Sequence, residues 1–70
     1  MEPTAQFATN LRRLRLAAGL TQERLSDLTQ MDPAEISRLE RGIRDPQLMT
    51  IVRVARGLGV APTELLADIE

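Results

Sequence analysis

Ala34, Ser37, Arg38 and Arg41 fall at i, i+3, i+4 and i+7, so an α-helix through them carries all four on one stripe while Ile36 and Leu39 face the other way. The chemistry open to such a stripe is recognition, not bond making. A guanidinium offers a fork of donors to phosphates and planar acceptors, serine offers a hydroxyl, and alanine offers a methyl. Catalysis lacks its usual parts. The chain contains no cysteine and no histidine, which removes disulfides, thiol and imidazole catalysis and the common zinc ligand sets. No nucleophile has a base beside it, and the acids fit caps, ion pairs or solvent. The residues therefore predict no enzyme, no metal, no cofactor and no small-molecule ligand.

The element that must present this stripe is well signposted. Asp32 is an N-cap type, Pro33 stands at the first helical position where its missing donor costs nothing, and Glu35 follows the cap by three in a capping-box pattern. Gly42 ends the helix, since glycine adopts the left-handed conformation without a Cβ penalty. A second short helix precedes it. Thr21 is its cap, Gln22 and Glu23 follow, and Leu25 and Leu28 supply apolar positions. Residues 21–42 thus read as two short helices joined by a turn, the second with an outward polar face. Periodicity alone leaves two readings open: a solvated face on a small bundle, or a helix shaped for the major groove of DNA.

The remainder reads as all helix, with no linker, repeat or strand period. A first helix is predicted over about 5–18, with Phe7, Leu11, Leu14 and Ala18 on one stripe and Gly19 ending it. The capped pair should run over 22–29 and 33–41. A fourth helix over about 47–58 buries Leu48, Ile51, Val52 and Ala55, and a fifth begins near Pro62 with Leu65, Leu66 and Ile69 on its apolar side. Residues 1–4 are expected to form a loose tail. Seventy residues with one aromatic, Phe7, make a single domain with an aliphatic core. Such a domain buries only about 60% of its unfolded surface and is marginally stable alone, so dimerisation would help.

Together with its flanks the segment resembles the helix-turn-helix domain of phage repressors and Cro, the XRE family of bacterial regulators. The matching elements are Leu11, Leu14 and Arg15; Gly19 to Gln22; Leu25 and Ser26; Ile36 and Ser37; Glu40 and Gly42; Pro46; and Leu58 to Val60. The resemblance implies a compact five-helix, lambda repressor-like bundle that binds double-stranded DNA to regulate transcription. In the family's docking geometry the second helix of the motif lays its N-terminal side chains on base edges. Pro33 and Ala34 would then supply apolar surface for a thymine methyl, and Ser37 and Arg38 polar readout, with Arg38 bidentate to guanine. Thr21 and Gln22, at the start of the motif's first helix, and Arg41 and Arg44, flanking the loop after its second, would hold phosphates. Arg15 and Glu40 match a structural ion pair between the first helix and the end of the third. Residues 58–70 would carry a homodimer contact through Val60, Pro62, Leu66 and Ile69, placing two recognition helices on a pseudopalindromic site.

Two places in the chain depart from the family pattern. Gln30 stands where the turn normally has glycine, so either it accepts a positive φ or the turn is shaped differently. Leu16 and Leu28 occupy positions usually polar, and either pack on each other or form a small partner-binding patch. Charge is a third concern. Nine arginines against ten acids give −1, although residues 1–60 hold those nine against only seven. The acidic balance and the two leucines keep a second class open, a protein-interaction module or antitoxin-type partner on the same fold. No apolar run approaches the roughly 20 residues of a membrane span, and residues 1–4 are too short for a signal peptide, so a cytoplasmic protein is expected.

Overall fold

The first helix begins earlier than the sequence pattern predicts. In the computed structural model, which describes all of residues 1–70, α1 spans Pro3–Ala17. Pro3 occupies its first turn, its fixed φ suited to a helix start, and the Gln6 amide donates to the Glu2 carbonyl at 2.8 Å. The expected loose tail over 1–4 is therefore corrected: its second half, Pro3 and Thr4, is helical, and the backbone at Gly42 lies against Thr4, where an added Cβ would come 3.6 Å from the carbonyl oxygen. Ala18, expected on the inner stripe, is instead the exposed C-cap.

The remaining elements are α2 (Gln22–Thr29), α3 (Pro33–Glu40), α4 (Leu48–Leu58) and α5 (Pro62–Leu65), with no strand. They pack as α1 on α3 and α5, α2 on α3 and α4, and α4 on α5, giving a body of 30 × 21 × 21 Å. The core is aliphatic around one ring: Phe7, Leu11, Leu14, Leu25, Ile36, Leu39, Val54, Ala55, Leu58 and Leu65. Val54, absent from the predicted stripe of α4, is fully buried because that helix is sandwiched between α2 and α5. Leu48, predicted to be core, is 73% exposed, since it opens the helix at the far end of the Ile51–Ala55–Leu58 stripe. Helices α2 and α4 approach closely at Gly57, where a Cβ would come within 2.6 Å of Thr29 Cγ2. Leu28 leans toward Gly57 while Leu16 lies beside Arg12 and Arg13 on α1, and both stay about half exposed.

The turn between α2 and α3 takes the strained option. Gln30 has φ 57° and ψ 34°, left-handed, and the Met31 amide closes on the Ser26 carbonyl at 3.1 Å. A left-handed non-glycine residue costs about 1–2 kcal/mol, whereas glycine loses about 0.5–1 kcal/mol of backbone entropy. Gln30→Gly should therefore stabilise the domain by about 0.5–1 kcal/mol, raising Tm by about 2–8 °C in a thermal melt. A lower Tm would mean that the Gln30 side chain contributes more than its backbone costs.

Candidate nucleic-acid interface

Helix α3 is presented by caps at one end and by a buried ion pair at the other. Asp32 Oδ1 accepts from the Ala34 amide at 2.8 Å, and Thr21 Oγ1 accepts from the Arg24 amide at 3.0 Å at the start of α2. At the C-terminal end of α3 the Glu40 carboxylate turns inward. Its side chain is only 4% exposed, and it receives Arg15 through both Nε and Nη2, the latter at 3.0 Å. Arg15 Nη1 donates to the Leu20 carbonyl at 2.8 Å, and Gln22 Nε2 donates to Glu40 Oε1 at 3.2 Å. One charged cluster thus ties α1, the loop before α2, the first residue of α2 and the last of α3. The Glu40 hydrogen bond holds the Arg15 guanidinium above its usual range, outweighing desolvation by burial that acts the other way. Arg15, 8% exposed, is engaged by Glu40 and the Leu20 carbonyl.

With the helix held from beneath, its outer stripe is open. Pro33, Ala34 and Arg41 are exposed, and Ser37 and Arg38 are partly so. Thr21 and Arg44 are also exposed, on the loops flanking the two helices, whereas Gln22 spends one amide hydrogen on Glu40. The Glu35 carboxylate does not complete the predicted capping box. Its Oε1 lies instead 3.3 Å from Arg38 Nη1 and 3.4 Å from Arg44 Nε.

Residues 6–68 match the family model of a helix-turn-helix domain. The chain belongs to the helix-turn-helix family. It is 40% identical over 70 residues to an uncharacterized HTH-type transcriptional regulator of Sinorhizobium fredii, spanning 100% of this chain and 91% of that one. Among solved structures, the restriction-modification controller protein C.AhdI from Aeromonas hydrophila is 39% identical, with a TM-score of 0.86 over 89% of this chain and 94% of that one. The restriction-modification controller protein C.Esp1396I, solved as a tetramer with its natural 35 base-pair operator, is 25% identical with a TM-score of 0.86, covering 93% and 86%.

The helix-turn-helix domain brings only part of the expected dimer contact together. Leu66, 42% exposed, and Ile69 line a shallow hollow of about 160 Å³ with Phe7, Pro46 and Ile51. Val60 packs against the core, and Pro62 is exposed at the start of α5. Leu48 and Met49 add exposed apolar surface at the start of α4. Sequence reasoning missed the residue that holds this end in place. Asn10 is buried and donates through Nδ2 to the carbonyls of Leu65 and Ala67, at 2.9 and 2.8 Å, while its Oδ1 accepts from Gln6 at 3.0 Å. The signal was present: a carboxamide three residues after Phe7, beside Leu11 on the apolar face of α1. No helix is long and apolar enough to cross a membrane, and no three His, Cys, Asp or Glu side chains are grouped as metal ligands would be.

Proposed function

We propose that this helix-turn-helix protein is a sequence-specific transcriptional regulator that binds a pseudopalindromic operator in double-stranded DNA as a dimer, in the cytoplasm and with no catalytic step. The observation that carries the reading is the outward stripe Ala34, Ser37, Arg38 and Arg41 on a helix anchored by the buried Arg15–Glu40 pair. Pro33 and Ala34 meet thymine methyls, and Ser37 and Arg38 address base edges. Thr21, the remaining amide hydrogen of Gln22, and the forks of Arg41 and Arg44 take phosphates on either side. Dimer contacts fall to Val60, Pro62, Leu66 and Ile69 in residues 58–70, supported by the apolar surface that Leu66 and Ile69 share. The similar C.Esp1396I, solved as a tetramer on its operator, supports operator binding by more than one copy here.

Selection of bound duplexes from a random pool tests this reading. It should enrich an inverted repeat whose half-sites lie about 34 Å apart, one turn of B-DNA, and the affinity should fall steeply with added salt as phosphate contacts release counterions. A pool that yields no motif, or binding indifferent to salt, would overturn it in favour of a protein-interaction role.

A further inference from the structure

One acid at the edge of the outward stripe of α3 has a geometry that a helix cap does not explain. Glu35 stands at the third helical position of α3, where a carboxylate normally folds back onto the cap amide. Here it projects along the outer face, its side chain 30% exposed, and one oxygen, Oε1, serves both Arg38 and Arg44. These two arginines come from different elements, α3 and the loop after it, and both carry exposed forks, 41% and 52% by side chain. Oε2 has no partner in the protein.

We infer that Glu35 is an internal counterion that sets the protein's affinity for DNA: it pairs with Arg38 and Arg44 in the DNA-free protein, so that any duplex must displace it to engage them. The inference rests on the DNA-binding reading above. Any phosphate backbone offers Arg38 and Arg44 the same negative charge that Glu35 already supplies, so on an arbitrary duplex the exchange gains little and brings a carboxylate near phosphates. The correct base pair changes that balance. Guanine offers Arg38 two acceptors in register, a bidentate geometry that the single oxygen of Glu35 does not match. The pairs lost are the same whichever duplex displaces them, so Glu35 lowers affinity for right and wrong sequences by a common factor, and the guanine contact sets the ratio between them.

The test is Glu35→Gln, which keeps shape and removes charge, measured by titration against the selected operator and a scrambled duplex across a salt series. Each exposed pair holds its arginine by up to about fivefold. The variant should therefore bind the operator and the scrambled duplex alike about three- to tenfold more tightly and steepen the salt slope on each by about one unit. Its effect should shrink by at least half in an Arg44→Ala background, since a general field effect of the lost charge would be independent of Arg44. A circular dichroism melt confirms that both variants fold. Tightening confined to one duplex, an effect unchanged in the Arg44→Ala background, or a loss confined to the operator would each overturn the counterion role; the last would make Glu35 a direct base contact. If the parent itself shows no salt-sensitive binding to any duplex, the DNA-binding reading falls and the role of Glu35 with it. Normal parent binding beside an unchanged variant would remove Glu35 alone.

Discussion

Arg15→Ala should lower the unfolding free energy by about 3–5 kcal/mol, the cost of leaving a buried charge without its partner. In this structure the stranded group is the Glu40 carboxylate, 4% exposed by side chain, which would retain only the Gln22 amide at 3.2 Å. The Leu20 carbonyl would lose its donor as well. For a domain of this size each kcal/mol shifts Tm by about 4–8 °C, so the variant should melt far below its parent and be partly unfolded at growth temperature. The partner substitution sharpens the test. Replacing Arg15 and Glu40 together with methionine removes both charges and keeps apolar volume, and it should cost less than Arg15→Ala alone. Calorimetric melts of the three proteins decide it. An Arg15→Ala protein as stable as the parent would mean that water reaches Glu40 and that the pair does not hold α1, α2 and α3 together.

Arg38→Ala should act on recognition and leave the fold intact. The side chain is 41% exposed and its ion pair with Glu35 is a surface one, so its loss should shift stability by less than about 1 kcal/mol. What it should remove is discrimination. A bidentate arginine–guanine contact separates right from wrong bases by about 1–3 kcal/mol, or roughly five- to 150-fold, and that factor should vanish from the ratio of operator to scrambled affinity. Binding to scrambled DNA should survive, since Arg41 and Arg44 remain. Those two should behave in the opposite way when substituted, weakening all duplexes alike and reducing the salt slope by about one unit each. Titrations of the three variants against both duplexes distinguish the roles. An Arg38→Ala protein with the parent's discrimination ratio would remove Arg38 from base reading.

Local signals carried the sequence reading a long way. Helix α2 spans Gln22–Thr29 as predicted because Thr21 caps it with its own hydroxyl and the turn residue Gln30 breaks the helical conformation. Helix α3 starts at Pro33 as predicted because Asp32 and Pro33 are start signals in themselves, and Gly59 marks the end of α4 in the same way. Elements whose limits depend on packing were less legible. The first turn of α1 is stabilised at Gly42, some forty residues away along the chain, and Leu48 lies on the right stripe but past the reach of its neighbours. Side-chain partners were hidden for the same reason. Glu35 looks like a capping residue when only its own helix is considered, and its second arginine arrives from a loop nine residues later. Asn10 looks like an ordinary polar residue until α5 places two carbonyls against it from 55 and 57 residues on. The Arg15–Glu40 pair was expected from the family resemblance; its reach to Leu20 and Gln22 was not.

The central claim is that the outer face of α3 enters the DNA groove, and backbone amide shifts of the labelled protein titrated with its selected duplex test it most directly. The largest changes should fall on Ala34, Ser37, Arg38 and Arg41, with smaller ones at Thr21, Gln22 and Arg44, and little at the buried Ile36 and Leu39. Shifts confined to α4 and α5, with the α3 stripe unmoved at saturating DNA, would contradict the account.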